Sequence, residues 1–210
     1  MTEPGPDPVE TDRLLDQVRA GDGSAFDRLF ALYRPGLRRF VALRFDPHVG
    51  ARLDPSDVVQ ETQLEAYRRM GDYLRRRPMP FPTWLRKTAY ERLLKLRRHH
   101  VEAARRAVGR ELGLPDRSSL LLARPFLDRG SSPSQRLDRG ELARRVREAL
   151  AGLPDRDREV LLMRHVEELP YGEIGCILGL DPAAARQRYG RALLRLRKVL
   201  SDHGLLESHS

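Results

Sequence analysis

Cysteine is nearly absent from this chain of 210 residues, with Cys176 the single example. One thiol excludes a disulfide scaffold and any cysteine-cluster zinc or iron–sulfur site, and it fits a reducing compartment. Lysine is almost as scarce: Lys87, Lys95 and Lys198 are the three among 39 basic side chains. The rest are arginine, the side chain suited to a bidentate grip on phosphate and guanine. No apolar run nears the roughly 18 residues that a membrane span requires. The first residues, MTEPGPDPVETD, are acidic and proline-rich rather than basic and then apolar as an export signal would be. Neither a membrane partner nor export is expected, and the expected compartment is the cytoplasm. Sustained apolar/polar alternation is missing too, so half-buried strands are not expected.

What the chain does have is charge. Lys and Arg number 39 against 30 Asp and Glu, a formal +9, and the excess invites a polyanionic partner. Its placement is uneven. Residues 1–66 carry 8 arginines against 12 acids, whereas 85–110 carry 9 basic residues against 2 acids and 186–198 carry 6 basic residues and no acid. Two basic surfaces and one acidic one imply different partners for different parts of the chain.

Helical periodicity dominates, which predicts an all-α protein. Phe26, Leu29, Phe30, Tyr33, Leu37, Phe40 and Val41 form an apolar stripe behind a candidate cap at Ser24, and Pro35-Gly36 should kink or split that helix. Asp54-Pro55 supplies an N-cap and an N1 proline for a helix over 54–76 that starts acidic and ends basic, as the helix dipole favours. RRPMPFPTW must be a loop, after which Thr83 can cap a long helix with Trp84, Leu85, Ala89, Leu93 and Leu96 inward. From about 111 to 140 the periodicity fades into Gly-, Pro- and Ser-rich segments, and four further helices follow. The predicted organisation is an N-terminal extension over 1–23, partly disordered; a helical domain over 24–110; a flexible linker over 111–139; and a second helical domain over 140–205. The first 12 residues have no ordering cue and are expected to be mobile.

The strongest local signal is PYGEIGCILGLDPAAARQRYGRALLRLR. A short helix with Ile174, Ile177 and Leu178 inside meets Gly179-Leu180, then Asp181 as N-cap and Pro182 at N1 of the next helix, which is the layout of a helix-turn-helix. On that last helix Ala185, Tyr189, Ala192, Leu193, Leu196 and Leu200 make an apolar stripe. Ala184, Gln187, Arg188, Arg191, Arg195 and Lys198 fall on the opposite face. Small alanines would let the helix approach base edges, Gln187 and Arg188 suit adenine and guanine, and the later arginines suit phosphates.

The segment WLRKTAYERLLKLRRHH interleaves Trp84 and Tyr90 with Arg86, Lys87, Arg92, Lys95, Arg97 and Arg98, a mixture suited to unstacked single-stranded bases. Taken alone, Trp84 at a helix start reads as core. Asp57, Glu61 and Glu65 recur at i, i+4 and i+8 and could present carboxylates to a metal, but no histidine shares the face and no phosphate-binding glycine loop accompanies it. Glu65 can instead pair with Arg69, and a protein-docking face remains. His99, His100 and His165 lack metal-ligand partners at suitable spacing, Cys176 reads as a packing residue, and neither metal, cofactor nor catalytic set is expected.

At these residues the sequence resembles the extracytoplasmic-function (ECF) group of the sigma-70 family, bacterial RNA polymerase initiation factors of two helical domains joined by a flexible linker. The motifs that carry the resemblance are DPSDVVQETQLEAYRR, FPTWLRKTAYERLLKLRR and LPDRDREVLLMRHVEELPYGEIGCILGLDPAAARQRYGRAL. The resemblance implies that Asp57, Val58, Gln60 and Glu61 dock on a coiled coil of the largest subunit of core RNA polymerase. It implies that Met79 to Arg98, with Trp84, Arg86, Lys87, Tyr90, Lys95, Arg97 and Arg98, hold the opened −10 promoter strand with a flipped base in a pocket. The helix bearing Ala184, Gln187, Arg188, Arg191 and Arg195 would read the −35 element, and its domain would touch the polymerase flap. An anti-sigma factor commonly restrains such proteins. Gly175 and Cys176 depart from the family pattern, and a looser helix pairing in the turn is the expectation. The competing reading is a stand-alone helix-turn-helix regulator of duplex operator DNA.

Overall fold

A computed structural model describes residues 6–44, 54–104, 121–122, 145–146, 148–150 and 152–205, and every regular element among them is a helix. They fall into two compact units. The first holds the described residues up to Ala42 and from 54 to 104, and the second holds Leu43, Arg44 and those from Leu121 onward. The expected linker, 111–139, lies outside the described residues apart from Leu121 and Leu122, as do the expected boundaries at 110 and 140.

The first unit contains a helix that the sequence pattern did not announce. Helix α1, Pro8–Arg19, starts at Asp7, whose carboxylate accepts from the Val9 amide at 2.9 Å, and Pro8 fills N1. Thr11, Leu14 and Leu15 are buried, and the Thr11 hydroxyl lies 2.6 Å from that of Tyr33. Within the expected N-terminal extension, residues 8–19 are thus a packed helix.

Helix α2, Gly23–Ala42, runs through Pro35 without splitting. The magnitudes explain this. An interior proline costs about 3 kcal/mol, while Leu37, Phe40 and Val41 beyond it are all buried at about 1.5–3 kcal/mol each. The cap is Asp22 rather than Ser24: its carboxylate accepts from the Ser24 amide at 2.9 Å and hydroxyl at 2.7 Å.

Helix α3, Pro55–Arg76, begins as expected. Asp54 accepts from the Ser56 amide at 2.8 Å, and Asp57 accepts from the Asp54 amide at 3.1 Å, closing a capping box. Helix α4, Phe81–Ala104, begins two residues before Thr83, so Thr83 lies inside the helix and is buried, not a cap. Tyr33, Tyr73, Phe81 and Trp84 form an aromatic cluster at the α3–α4 turn, with Tyr73 and Trp84 rings 4.6 Å apart.

In the second unit, α5 (Asp155–Leu161) continues into a wider π-helical turn, Leu162–Val166. Val160, Leu161, Leu162 and Met163 are all fully buried, so this stretch is enclosed on every side, whereas Asp155 and Arg156 at the start of α5 are exposed. Arg44 belongs to this unit and is buried between Glu159 (2.8 Å) and Glu167 (2.6 Å). Burial opposes its charge, yet the two carboxylates hold its proton more tightly than usual.

Helix α6 (Tyr171–Leu178) ends at Gly179 with φ 68°, and α7 (Pro182–Asp202) starts at Asp181, which accepts from the Ala184 amide at 2.7 Å. The turn is tight, contrary to the expectation from Gly175. The Leu180 amide donates to the Gly175 carbonyl at 2.9 Å, and a Cβ on Gly175 would sit 2.6 Å from the Leu180 carbonyl oxygen. Glycine here permits the close approach rather than loosening it. Among the described residues no helix is long and apolar enough to cross a membrane.

Candidate nucleic-acid interface

Helix α7 keeps its two faces apart. Ala185, Ala192, Leu196 and Leu200 are buried, while Gln187, Arg191, Arg195 and Lys198 are exposed and Ala184 is half-buried. The turn and the Asp181 cap fix the direction of its N-terminal end, where small Ala183 and Ala184 leave the backbone approachable. Two of the cations also have structural work. Arg188 Nη1 lies 3.3 Å from Asp157 Oδ1, and Arg195 Nη1 reaches Asp157 Oδ2. Asp157, on α5, is 2% exposed, so its buried carboxylate is satisfied by the helix that faces solvent.

Beside this face lies a cluster that the polar stripe does not include. The Arg164 and Arg186 guanidinium carbons stand 5.2 and 5.7 Å from the centre of the Tyr171 ring, which meets Tyr189 edge-on at 5.8 Å. The Tyr189 hydroxyl lies 3.0 Å from His165 Nε2. Burial, with Arg164 adding to it, lowers the basicity of His165. Arg186 is exposed on the first turns of α7 and adds to its cationic surface. The sequence signal was present, since Arg186 adjoins Gln187, but it lies off the stripe that contains Gln187.

Helix α4 behaves differently. Trp84 is 5% and Tyr90 7% exposed, both packed inside the first unit, so neither ring is open to stack on a base in this arrangement. The cations stay outward: Arg86 and Lys87 are half-buried, and Lys95 and Arg98 are exposed. The side chain of Arg97 lies outside the described residues. Arg92 pairs with Glu65 of α3, and Arg69 pairs with Glu91 at 2.9 Å, so both bonds tie α3 to α4 instead of joining Glu65 to Arg69 along one helix. Next to the α3–α4 turn is a groove of about 950 Å³ whose walls include Tyr33, Arg39, Arg77, Pro80, Phe81 and Arg86. It combines apolar and aromatic wall with arginine, and α1 closes one side.

On α3, Asp57, Gln60 and Glu61 are exposed, with Asp57 also engaged in the capping box. Val58 is fully buried in the core, so it supports this face from beneath and offers no surface of its own. Sequence reasoning missed Leu64, which is 59% exposed and continues the stripe one turn beyond Gln60 and Glu61, followed by exposed Arg68. No group of three or more His, Cys, Asp or Glu among the described residues could hold a metal ion.

Sigma-70 region 2 matches residues 29–102, and Sigma-70, region 4 matches 143–196. The ECF RNA polymerase sigma factor SigD of Mycobacterium tuberculosis is 30% identical over 193 residues, covering 92% of this chain and 85% of SigD. The chain belongs to the ECF sigma-factor family. The RNA polymerase sigma factor CarQ of Myxococcus xanthus is likewise 30% identical, over 90% of this chain and 96% of CarQ. The solved structure of CnrH in complex with the cytosolic domain of CnrY shares the fold, with a TM-score of 0.58 and 24% identity over 92% of this chain and 98% of CnrH. That of the sigma factor RpoE in complex with the anti-sigma factor NepR from Bartonella quintana has a TM-score of 0.55 and 19% identity, covering 84% and 96% of the two chains. In this sigma factor the region 2 match takes in most of α2, all of α3 and nearly all of α4, and leaves α1 outside. The region 4 match takes in α5, the π turn, α6 and α7 as far as Leu196.

Proposed function

We propose that this ECF sigma factor binds core RNA polymerase through the exposed stripe of α3, reads the −35 element with α7, and holds the opened −10 strand on the cations of α4. The observation that carries the reading is that Arg186, Arg191, Arg195 and Lys198 of α7 and Lys95 and Arg98 of α4 face solvent, each set in a unit matching a different sigma-70 region. Asp57, Gln60 and Glu61, with Leu64 as an apolar anchor, meet a coiled coil of the largest subunit. Gln187, Arg188 and Arg191, backed by Arg186 and Arg195, lie along the major groove, with Ala184 against the base edges. The second unit also meets the polymerase flap.

For the −10 strand, burial of the two rings supports a revised division of labour. Arg86, Lys87, Lys95, Arg97 and Arg98 track the backbone, and the flipped base enters the groove beside Tyr33, Pro80 and Phe81. Trp84 and Tyr90 shape that groove from within the core. The protein catalyses nothing itself, needs no cofactor and works in the cytoplasm. An anti-sigma factor restrains it, a reading supported by the RpoE structure, in which that sigma factor is in complex with the anti-sigma factor NepR.

The test is transcription in vitro with purified core polymerase, with and without this protein, on a promoter library. Promoter-dependent initiation that requires both components is expected. Core polymerase that gains none overturns the reading.

A further inference from the structure

The exposed stripe of α3 has a basic neighbour on its α2 side. The two helices run antiparallel: Phe26 meets Tyr67 with ring centres 5.2 Å apart, and Asp27 accepts from Gln63 at 3.2 Å. Further along, the last turns of α2 and the first of α3 enclose a groove of about 680 Å³ lined by Arg34, Pro35, Arg38, Ser56, Val59 and Gln60, with Arg39 and Ala42 at its end. Three of its lining residues are arginines and none is a carboxylate. Arg34 and Arg38 are exposed, stand one helical turn apart, and form no ion pair among the described residues. The nearby acid, Asp54, caps α3, and the positive charge of Arg38 helps to hold its carboxyl below the usual range without forming an ion pair with it.

We infer that this groove receives acidic side chains, spaced one turn apart on a helix of core polymerase, so that the docking face is bipolar: carboxylates at Asp57 and Glu61, guanidiniums at Arg34 and Arg38. The inference rests on the reading of the α3 stripe as the docking face, and it specifies the partner chemistry that face requires. Gln60 belongs to both features, lining the groove and standing on the stripe beside Glu61. A phosphate chain laid in the groove would run against the Asp57 and Glu61 carboxylates, whereas a helix of mixed charge satisfies both edges at once. Opposed charges on adjoining strips also fix the direction in which a partner helix can lie.

The test compares three full-length proteins, the wild type, R34E/R38E and Q60A/E61A, for binding to purified core RNA polymerase at low and at moderate salt, alongside binding to single-stranded DNA. For R34E/R38E core affinity is expected to fall by about tenfold or more at low salt and by less at moderate salt, with DNA binding unchanged. The neutral pair R34Q/R38Q should lose an intermediate amount, which separates lost attraction from a fold defect. If R34E/R38E binds core like the wild type while Q60A/E61A does not, the groove inference falls and the docking reading stands. If neither variant loses core affinity, both fall. Loss of single-stranded DNA binding with core affinity intact also overturns the inference, by assigning the groove to nucleic acid.

Discussion

Two cationic helices, α4 and α7, carry comparable charge and are built on opposite plans. In α7 Leu196 and Leu200 of the predicted apolar stripe are buried and Tyr189 and Leu193 half-buried, while Gln187, Arg191 and Lys198 are exposed. In α4 the aromatics that neighbour the cations in sequence are separated from them in space: Trp84 and Tyr90 go inward, Lys95 and Arg98 outward. Neighbours in sequence on a helix are about 100° apart, so interleaving along the chain is sorted into two faces by folding. A basic stripe at i, i+4, i+7 therefore identifies a surface, whereas a run of mixed aromatics and cations identifies a surface and a core at once.

The sharpest way to break this contrast is to remove the buried ring. Trp84→Ala is expected to destabilise the first unit by roughly 3–5 kcal/mol, as truncation of a large core aromatic does, while Arg98→Ala leaves stability within about 0.5 kcal/mol of wild type. Urea unfolding followed by circular dichroism reads both. A Trp84→Ala protein with unaltered stability and impaired promoter opening would restore the stacking role. Next in size is Gly175→Ala, which places a methyl against the Leu180 carbonyl in the turn that aims α7. A loss of roughly 1–3 kcal/mol is expected from such overpacking, together with weaker duplex promoter binding.

Arg188 and Arg191 sharpen the comparison within α7 itself. Arg191 is exposed and has no ion pair among the described residues, so Arg191→Ala should weaken duplex −35 binding by on the order of 1 kcal/mol and leave stability alone. Arg188 also serves the buried Asp157 carboxylate, so Arg188→Ala should lower both promoter affinity and the unfolding midpoint. Equal stability effects from the two would show that the Asp157 bond does not count.

What the sequence disclosed follows the same division between local and distant causes. Asp54-Pro55, Gly179 and Asp181-Pro182 mark helix ends through bonds within four residues, and each was legible. Helix α1 was not, because its two leucines form a stripe too short to stand out and its Thr11 finds a partner 22 residues away in Tyr33. Pro35 does not split α2, because its cost is local and the burial that outweighs it is tertiary. On the docking face, Gln60 and Glu61 were visible as polar and charged positions, whereas Leu64 shows only once α2 and α4 are seen to leave it uncovered. Gly175 could be read as a departure from pattern, but whether it loosens or tightens the turn depends on where Leu180 lies.

The smallest effect expected is one of pH beneath α7. His165 lies against Tyr189 of that helix, and burial, helped by Arg164, makes it a weaker base in the folded protein than in the unfolded chain, whose ordinary value is 6.5. Among the described residues the groups acting on the ring are Tyr189 and Arg164, neither of which favours its charged form as a carboxylate would. Lowered folded-state basicity means that the unfolded chain binds the extra proton first as pH falls. Stability of the second unit should thus be level above about pH 7 and decline slightly as pH drops through the ordinary histidine range, flattening once the folded form is also protonated. His165→Gln should remove that part of the slope in urea midpoints compared between about pH 7.5 and about pH 5.5. A slope that persists in His165→Gln would assign the pH dependence to carboxylates instead, and would separate the ring under α7 from the acid–base behaviour of the unit.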